Sequence, residues 1–248
     1  MIADMRVLVV GGSGYVGSLI GPLLAERYQL RVFDLRPPAA DCEYVAGDAT
    51  DHAALRAAMD SVDALLHCAM GAHDLTEPAG VGSAFDINVK SVHLALLAAH
   101  DAGVPHAVHI SSMSVYRDLW QRRIDDESVP PDATEPYGLT KRLGEQVCAA
   151  AAAEWGMSVN VLRLTWPTAD AIWPDWGFPG SPTTLRTADG TRIEATAATD
   201  LARAVAAALE LRDGFQTFIV SGARSLGLWS TAKARDRLGW EPTFGIRS

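Results

Sequence analysis

The sequence holds only three cysteines, Cys42, Cys68 and Cys148. They are odd in number and widely separated, so neither a disulfide framework nor a CxxC metal or redox motif is expected, and they read as small buried hydrophobes. No apolar run approaches the roughly 20 residues needed to cross a bilayer, so a membrane span is not expected. Acidic residues outnumber basic ones 30 to 21, for a formal charge of −9. With no basic run and no interleaved basic and aromatic pattern, that balance argues against nucleic acid as a partner. The histidines, His106 and His109 among them, lack carboxylate or cysteine companions at ligand spacing, so no catalytic metal is expected. The opening Met1-Ile2-Ala3-Asp4-Met5-Arg6 lacks the longer apolar segment and small-residue cleavage site of a secretory signal, which sets the expectation of a cytoplasmic protein.

What is present is an alternation of short apolar runs with longer amphipathic stretches, the pattern of βαβ units and a parallel sheet. Strands are predicted at Arg6–Val10, Leu30–Asp34, Glu43–Ala46, Ala64–His67, His106–Ser111 and Ser158–Leu164, and helices at Tyr15–Tyr28, His52–Met59, Ser83–Ala102 and Tyr137–Trp155. After Arg163 the texture changes to Trp166-Pro167, Trp173-Pro174 and Trp176-Gly177-Phe178-Pro179-Gly180, which is loop chemistry rich in aromatics. A helix at Thr199–Arg212, a strand at Gln216–Val220 and a short helix near Thr231–Leu238 follow. The expected fold is α/β, a Rossmann-type doubly wound parallel sheet with a small C-terminal substrate-binding region. Residues 1–248 are expected to form one domain, with 1–163 mainly a dinucleotide-binding core and 164–248 mainly substrate-facing and closing elements.

The dinucleotide expectation rests on Gly11-Gly12-Ser13-Gly14-Tyr15-Val16-Gly17, a GxxGxxG that follows the first strand and opens a helix. Glycine permits a tight turn and the close approach of a pyrophosphate, whose charge the helix N-terminus favours. Asp34 ends the second strand about 20 residues on, where a carboxylate accepts hydrogen bonds from ribose hydroxyls. That carboxylate would repel a 2′-phosphate and favours NAD, while Arg36 works in the opposite direction, so NADP is not excluded. Asp48 and Ala49 after the third strand, and Cys68 and Ala69 after the fourth, fall at the carboxyl edge where a cofactor would lie; each reads equally as an ordinary strand end.

Tyr137-Gly-Leu-Thr-Lys141 opens a helix with both side chains on one face, a turn apart. A phenol is a poor base at neutral pH, and a neighbouring ammonium favours its phenolate form. The lysine can also hold a nicotinamide ribose. The fifth strand runs His109-Ile110-Ser111-Ser112-Met113-Ser114-Val115-Tyr116 and ends in hydroxyls, which can hydrogen-bond a substrate oxygen as it passes between alcohol and carbonyl. Taken singly, the YxxxK reads as an exposed helix face and the serines as turn formers.

Taken together, Gly11–Gly17, Asp34, Gly47-Asp48, Asn88-Val89, Ser111-Ser112, Val115-Tyr116, Tyr137 with Lys141, and the late segment Lys233 to Pro242 resemble the extended short-chain dehydrogenase/reductases, the NAD-dependent epimerase/dehydratase family. The resemblance implies an enzyme with Tyr137 as general base or acid, Lys141 as its electrostatic partner and ribose contact, and Ser112 as donor to the substrate oxygen. It implies that Asn88 organises a water-based proton relay. Ser112 is preferred to Ser111 because it stands four before Tyr116. Two positions depart from the family pattern: Arg117 replaces a glycine and Val10 a threonine, and neither removes a catalytic atom.

The stretch after Asn160 is short for gripping a nucleotide diphosphate, so a sugar or sugar-acid-like small molecule is the expected substrate of an NAD(P)-dependent oxidoreductase or epimerase. The ending from Trp229 to Trp240 is similar to uronate dehydrogenases. A sugar-nucleotide epimerase or dehydratase is the alternative, and a catalytically silent NAD(P)-binding sensor is disfavoured because all four catalytic positions are retained. Arg117, Arg186 and Arg192 are candidates for a substrate carboxylate, and His73, Trp120, Trp166, Trp173 and Trp176 for pocket walls. The alanine-rich helices at 83–102 and 137–155 resemble those that pair across a homodimer in this family.

Overall fold

The computed structural model describes residues 5–72, 74–178 and 180–245. Its centre is a sheet of seven strands: β1 (Arg6–Val10), β2 (Gln29–Asp34), β3 (Glu43–Ala46), β4 (Ala64–His67), β5 (His106–Ser112), β6 (Ser158–Leu164) and β7 (Phe215–Val220). Every pairing is parallel, in the order β7-β6-β5-β4-β1-β2-β3. A strand covered on both faces must be apolar on both, and β1 meets this condition with Val7 and Val9 in one core layer and Leu8 and Val10 in the other. The first layer packs under α1 (Tyr15–Ala25), α6 (Ala198–Glu210) and α7 (Ala232–Leu238), the second under α2 (His52–Ala58), α4 (Ser91–Asp101) and α5 (Pro136–Trp155). The strand order reverses between β1 and β4, and an open α/β sheet places its ligand crevice outside the carboxyl ends of the strands at such a point.

The expected helix at Ser83–Ala102 is replaced by α3 (Pro78–Phe85), a π turn at Asp86–Lys90 and α4. Pro78 in the first turn sets the earlier start, and a π turn inserts one residue that a 3.6-residue periodicity does not display. Asn88 lies in that turn. The first helix ends at Ala25 instead of Tyr28, because the amides of Arg27 and Tyr28 both bond the Leu24 carbonyl and the Tyr28 ring turns into the core.

Beyond β6, the segment expected to be loop contains three two-stranded pieces. Pro167–Thr168 pairs with Thr196–Ala197, Trp176–Phe178 with Ser181–Thr183, and Leu185–Arg186 with Arg192–Ile193. Strands of two or three residues are too short to show an alternation. The Tyr15 hydroxyl lies 2.9 Å from the Pro167 carbonyl and 3.1 Å from that of Gly177, and its ring meets Phe178 edge-on at 5.0 Å. This region is thereby tied directly to the glycine-rich turn.

Candidate active site

The carboxyl ends of the strands open into a cleft of about 1200 Å³. That exceeds the usual single-ligand pocket and suits a dinucleotide together with a small second molecule. At one end β1 passes through Gly11, whose φ of +81° is a left-handed conformation and whose Cβ, if present, would lie 2.4 Å from the Ala69 backbone. A side chain at Gly17 would strike the Gly12 carbonyl at 2.4 Å. Both positions therefore require glycine for the turn that aims the N-terminus of α1 into the cleft.

Asp34 stands beside this turn, its carboxylate accepting from the amides of Ser13 at 3.0 Å and Arg36 at 3.2 Å. A carboxylate has about four acceptor positions, so capacity remains for a ribose diol. Of the cofactor candidates, Gly11, Gly14, Tyr15, Val16, Asp34, Asp48, Ala49, Cys68 and Ala69 line the cleft. Ser13 and Gly17 do not: the Ser13 hydroxyl donates to the Arg36 carbonyl at 2.6 Å, and Gly17 packs on Gly12. The Asp48 carboxylate accepts from the Thr50 amide and hydroxyl, which hold it below the ordinary carboxylate range.

In the middle of the cleft, Glu135 caps α5 by accepting from the amides of Tyr137 at 2.9 Å and Gly138 at 2.5 Å, with Pro136 fixing the first turn. This start presents Tyr137, half-buried, toward the end of β5. Burial raises the Tyr137 phenol, and a hydrogen bond with the Ser112 side chain opposes the rise. The Ser112 oxygen also accepts the Ser114 amide at 3.1 Å. Ser111 is engaged elsewhere, its hydroxyl donating to Glu145 at 2.6 Å.

Lys141 follows one turn later, 3% exposed, and its Nζ donates to the Ile110 carbonyl at 3.0 Å. Burial pushes the ammonium down to about 8, against smaller opposing contributions from Cys68 and Glu145. The same burial has a stability consequence. Between about 8 and the ordinary 10.5 the unfolded chain binds more protons than the folded one, so the cost of Lys141 is full below pH 8 and fades as pH climbs toward 10.5. Lys141→Met is expected to raise unfolding free energy at pH 7 by about 2–3 kcal/mol while lowering turnover. Urea midpoints of the two proteins should converge between pH 8 and 10.5, and a gap independent of pH would refute the assignment.

Asn88 sits behind this set, buried and outside the cleft lining. Its Oδ1 accepts the Gly71 amide at 3.1 Å and its Nδ2 donates to Thr140 Oγ1 at 3.0 Å, so it braces α5 between Tyr137 and Lys141. Sequence reasoning missed Glu145 and Arg163. Arg163, buried on β6, donates to Glu145 through Nε at 3.0 Å and Nη2 at 2.7 Å, and through Nη1 to the Tyr116 hydroxyl. An arginine inside the apolar run Val159 to Leu164 was the available signal, since a charge in a buried strand requires a partner.

The cleft is also walled by Met70, Leu75, Leu119, Trp120, Trp166 and Trp176. Of the candidate arginines only Arg117 lines it; Arg186 donates to the Gly190 carbonyl and Arg192 to Asp175. Trp173 lies off the cleft and donates to the Ala195 carbonyl at 3.1 Å, and His73 is outside the described residues. Among the described residues no three metal-ligating side chains converge, and no helix is long and apolar enough to cross a membrane.

A glycine-rich strand-to-helix turn, an acid ending the second strand, and a serine, a tyrosine and a lysine near the end of the fifth line one cleft. The chain belongs to the NAD-dependent epimerase/dehydratase family, whose sequence model matches residues 7–168. It is 33% identical over 170 residues to a 3β-hydroxysteroid dehydrogenase/Δ5→4-isomerase of Mycobacterium tuberculosis, covering 64% of this chain and 46% of that protein. The chain spans about half the length of the curated relatives it matches. Among solved structures, an NAD-bound short-chain dehydrogenase/reductase superfamily protein of Agrobacterium tumefaciens superposes with a TM-score of 0.77 at 25% identity, over 96% of this chain and 92% of that one. A glucuronic acid dehydrogenase of Chromohalobacter salexigens gives 0.78 at 25% identity, over 96% and 84%.

Proposed function

We propose that this chain is an NAD-dependent oxidoreductase or epimerase acting at a carbinol or carbonyl carbon of a sugar or sugar-acid-like small molecule. The observation that carries the reading is that Ser112 and Tyr137 line one cleft, with Lys141 buried one turn behind Tyr137, together with the glycine-rich turn and Asp34. The bound nicotinamide supplies the hydride acceptor or donor. Ser112 holds the substrate oxygen, and Tyr137 takes its proton on oxidation and returns it on reduction. The Lys141 ammonium favours the phenolate and holds the nicotinamide ribose, while Asn88 fixes the helix that carries both. The amide end of α1 would hold the pyrophosphate and Asp34 the adenosine ribose diol.

A small substrate is favoured over a sugar nucleotide because, among the described residues, the arginines and lysines lining the cleft are Arg36, which adjoins Asp34, and Arg117 and Lys141, whereas a diphosphate beyond the dinucleotide calls for more. The test is a screen of sugars, sugar acids and sugar nucleotides for NAD reduction and for epimer formation, since an epimerase returns its hydride and leaves no net NADH. A sugar nucleotide as the only productive substrate would overturn the small-substrate reading. The reading includes a homodimer through α4 and α5, which carry the half-buried Leu97 and Leu143.

Cofactor preference follows from Asp34, whose charge would meet a 2′-phosphate. NAD is expected to bind more tightly than NADP, and Asp34→Ala to narrow the difference by about 1–2 kcal/mol, roughly five- to thirtyfold in the ratio of dissociation constants. Equal or tighter NADP binding by the unsubstituted protein, measured by titration, would sink this preference.

A further inference from the structure

We infer that the substrate carries a ring with an apolar face and lays that face against an aromatic wall formed by Trp120 and Trp166. The inference rests on the reading above, in which Ser112 and Tyr137 fix the reacting carbon, and adds how the remainder of the substrate is held. Trp166 lies two residues beyond Leu164, the residue of β6 in register with Ser112 on β5. It is therefore delivered to the same carboxyl edge as the catalytic hydroxyls. Its backbone has φ of +33°, a left-handed conformation that a bulky side chain adopts only under constraint from its surroundings. The constraint is visible: the Trp166 carbonyl accepts the Thr196 amide at 3.0 Å, holding the chain where the small parallel pair begins.

The indoles form a graded cluster of tilted rings. Trp229, only 6% exposed, anchors it in the core; Trp166 packs on it at 5.4 Å; and Trp120, 42% exposed, packs on Trp166 at 4.7 Å on the cleft side. Simple core packing explains Trp229. It does not explain a strained Trp166 or a Trp120 left largely open in a cleft, because an indole buries its area most effectively when covered on both faces. A flat, apolar ring face would cover the open indole, and two sources share that chemistry: the C–H face of a pyranose and an alicyclic ring. A nucleoside diphosphate fits less well, because among the described residues Arg117 and Lys141 are the arginine and lysine lining the cleft apart from Arg36 beside Asp34.

The test measures binding without turnover. D-glucuronate, cyclohexanol and UDP-glucose are titrated into the NAD complex of Tyr137→Phe, alone and with Trp120→Leu or Trp166→Asn added, following calorimetric affinity and indole fluorescence. Asparagine tolerates the left-handed backbone, so Trp166→Asn removes the ring without adding strain. Expected is quenching by a ring probe and an affinity loss of about tenfold in each tryptophan variant, the scale of one aromatic contact, with NAD affinity preserved. D-glucuronate binding identifies a sugar face and cyclohexanol binding an alicyclic one. Absence of binding by both, binding of UDP-glucose alone, or an affinity indifferent to both substitutions overturns the wall. Failure of the proton assignment is a separate signal, namely full turnover in Tyr137→Phe.

Discussion

Tyr137→Phe is expected to lower turnover about 10²–10⁴-fold, the range for a lost general acid or base, while leaving the fold and most NAD affinity intact. The substitution removes one oxygen from a half-buried ring at the edge of the cleft. Ser112 keeps the Ser114 amide, and the pyrophosphate and ribose positions proposed above involve Gly11 and Asp34, not the Tyr137 hydroxyl. Burial raises the phenol above its ordinary value, so in the cofactor-free protein little phenolate is present at neutral pH. Alcohol oxidation by the wild type should therefore climb with pH on the alkaline side of neutrality, and that climb should be absent from Tyr137→Phe. Steady-state rates on the best substrate from the screen, measured across pH 6–10 and paired with an NAD titration, check both statements. Near-normal turnover in the variant would show that the proton takes another path.

The sheet was legible because its strands are buried on both sides. A run such as Val7-Leu-Val-Val has no polar face to display, and the intervening amphipathic stretches mark the helices that cover it. The glycine turn and the position of Tyr137 and Lys141 at the start of α5 were legible because each pattern sits at a fixed spacing next to a strand end or a helix start. Other features left no such trace. The π turn at Asp86–Lys90 adds one residue inside an otherwise continuous apolar periodicity, and only hydrogen bonding reveals it. The paired segments around Trp166–Ile193 are too short to alternate and are held by contacts distant in sequence, such as Tyr15 to Pro167 and Gly177. The positive φ of Trp166 is a backbone property imposed by tertiary contacts, so no local residue preference announces it. Ser111 and Ser112 are adjacent and chemically identical; the structure separates them by their bonds, the Ser111 hydroxyl donating to Glu145 and the Ser112 oxygen accepting the Ser114 amide.

Glu145→Ala is expected to destabilise the protein by about 3–5 kcal/mol, the cost of leaving a buried charge without its partner. Glu145 lies on α5 four residues after Lys141, on the same helix face. Its two oxygens accept from Arg163 at 2.7 and 3.0 Å and from Ser111 at 2.6 Å, and Arg163 lies over the Tyr116 ring at 5.2 Å. The network joins α5 to the ends of β5 and β6, and so fixes how the helix is rotated when it presents Tyr137 to Ser112. Removing both charges has a different expected result. Glu145→Leu combined with Arg163→Met should be more stable than either single variant, because no unpaired ion remains and two apolar chains fill similar volume. Turnover of the double variant should stay below wild type, since apolar packing lacks the directional bonds that set the rotation of α5. Urea unfolding of the wild type, both singles and the double gives the coupling energy directly. A coupling below about 1 kcal/mol, typical of an exposed pair, would mean that this network does not hold the catalytic helix in place.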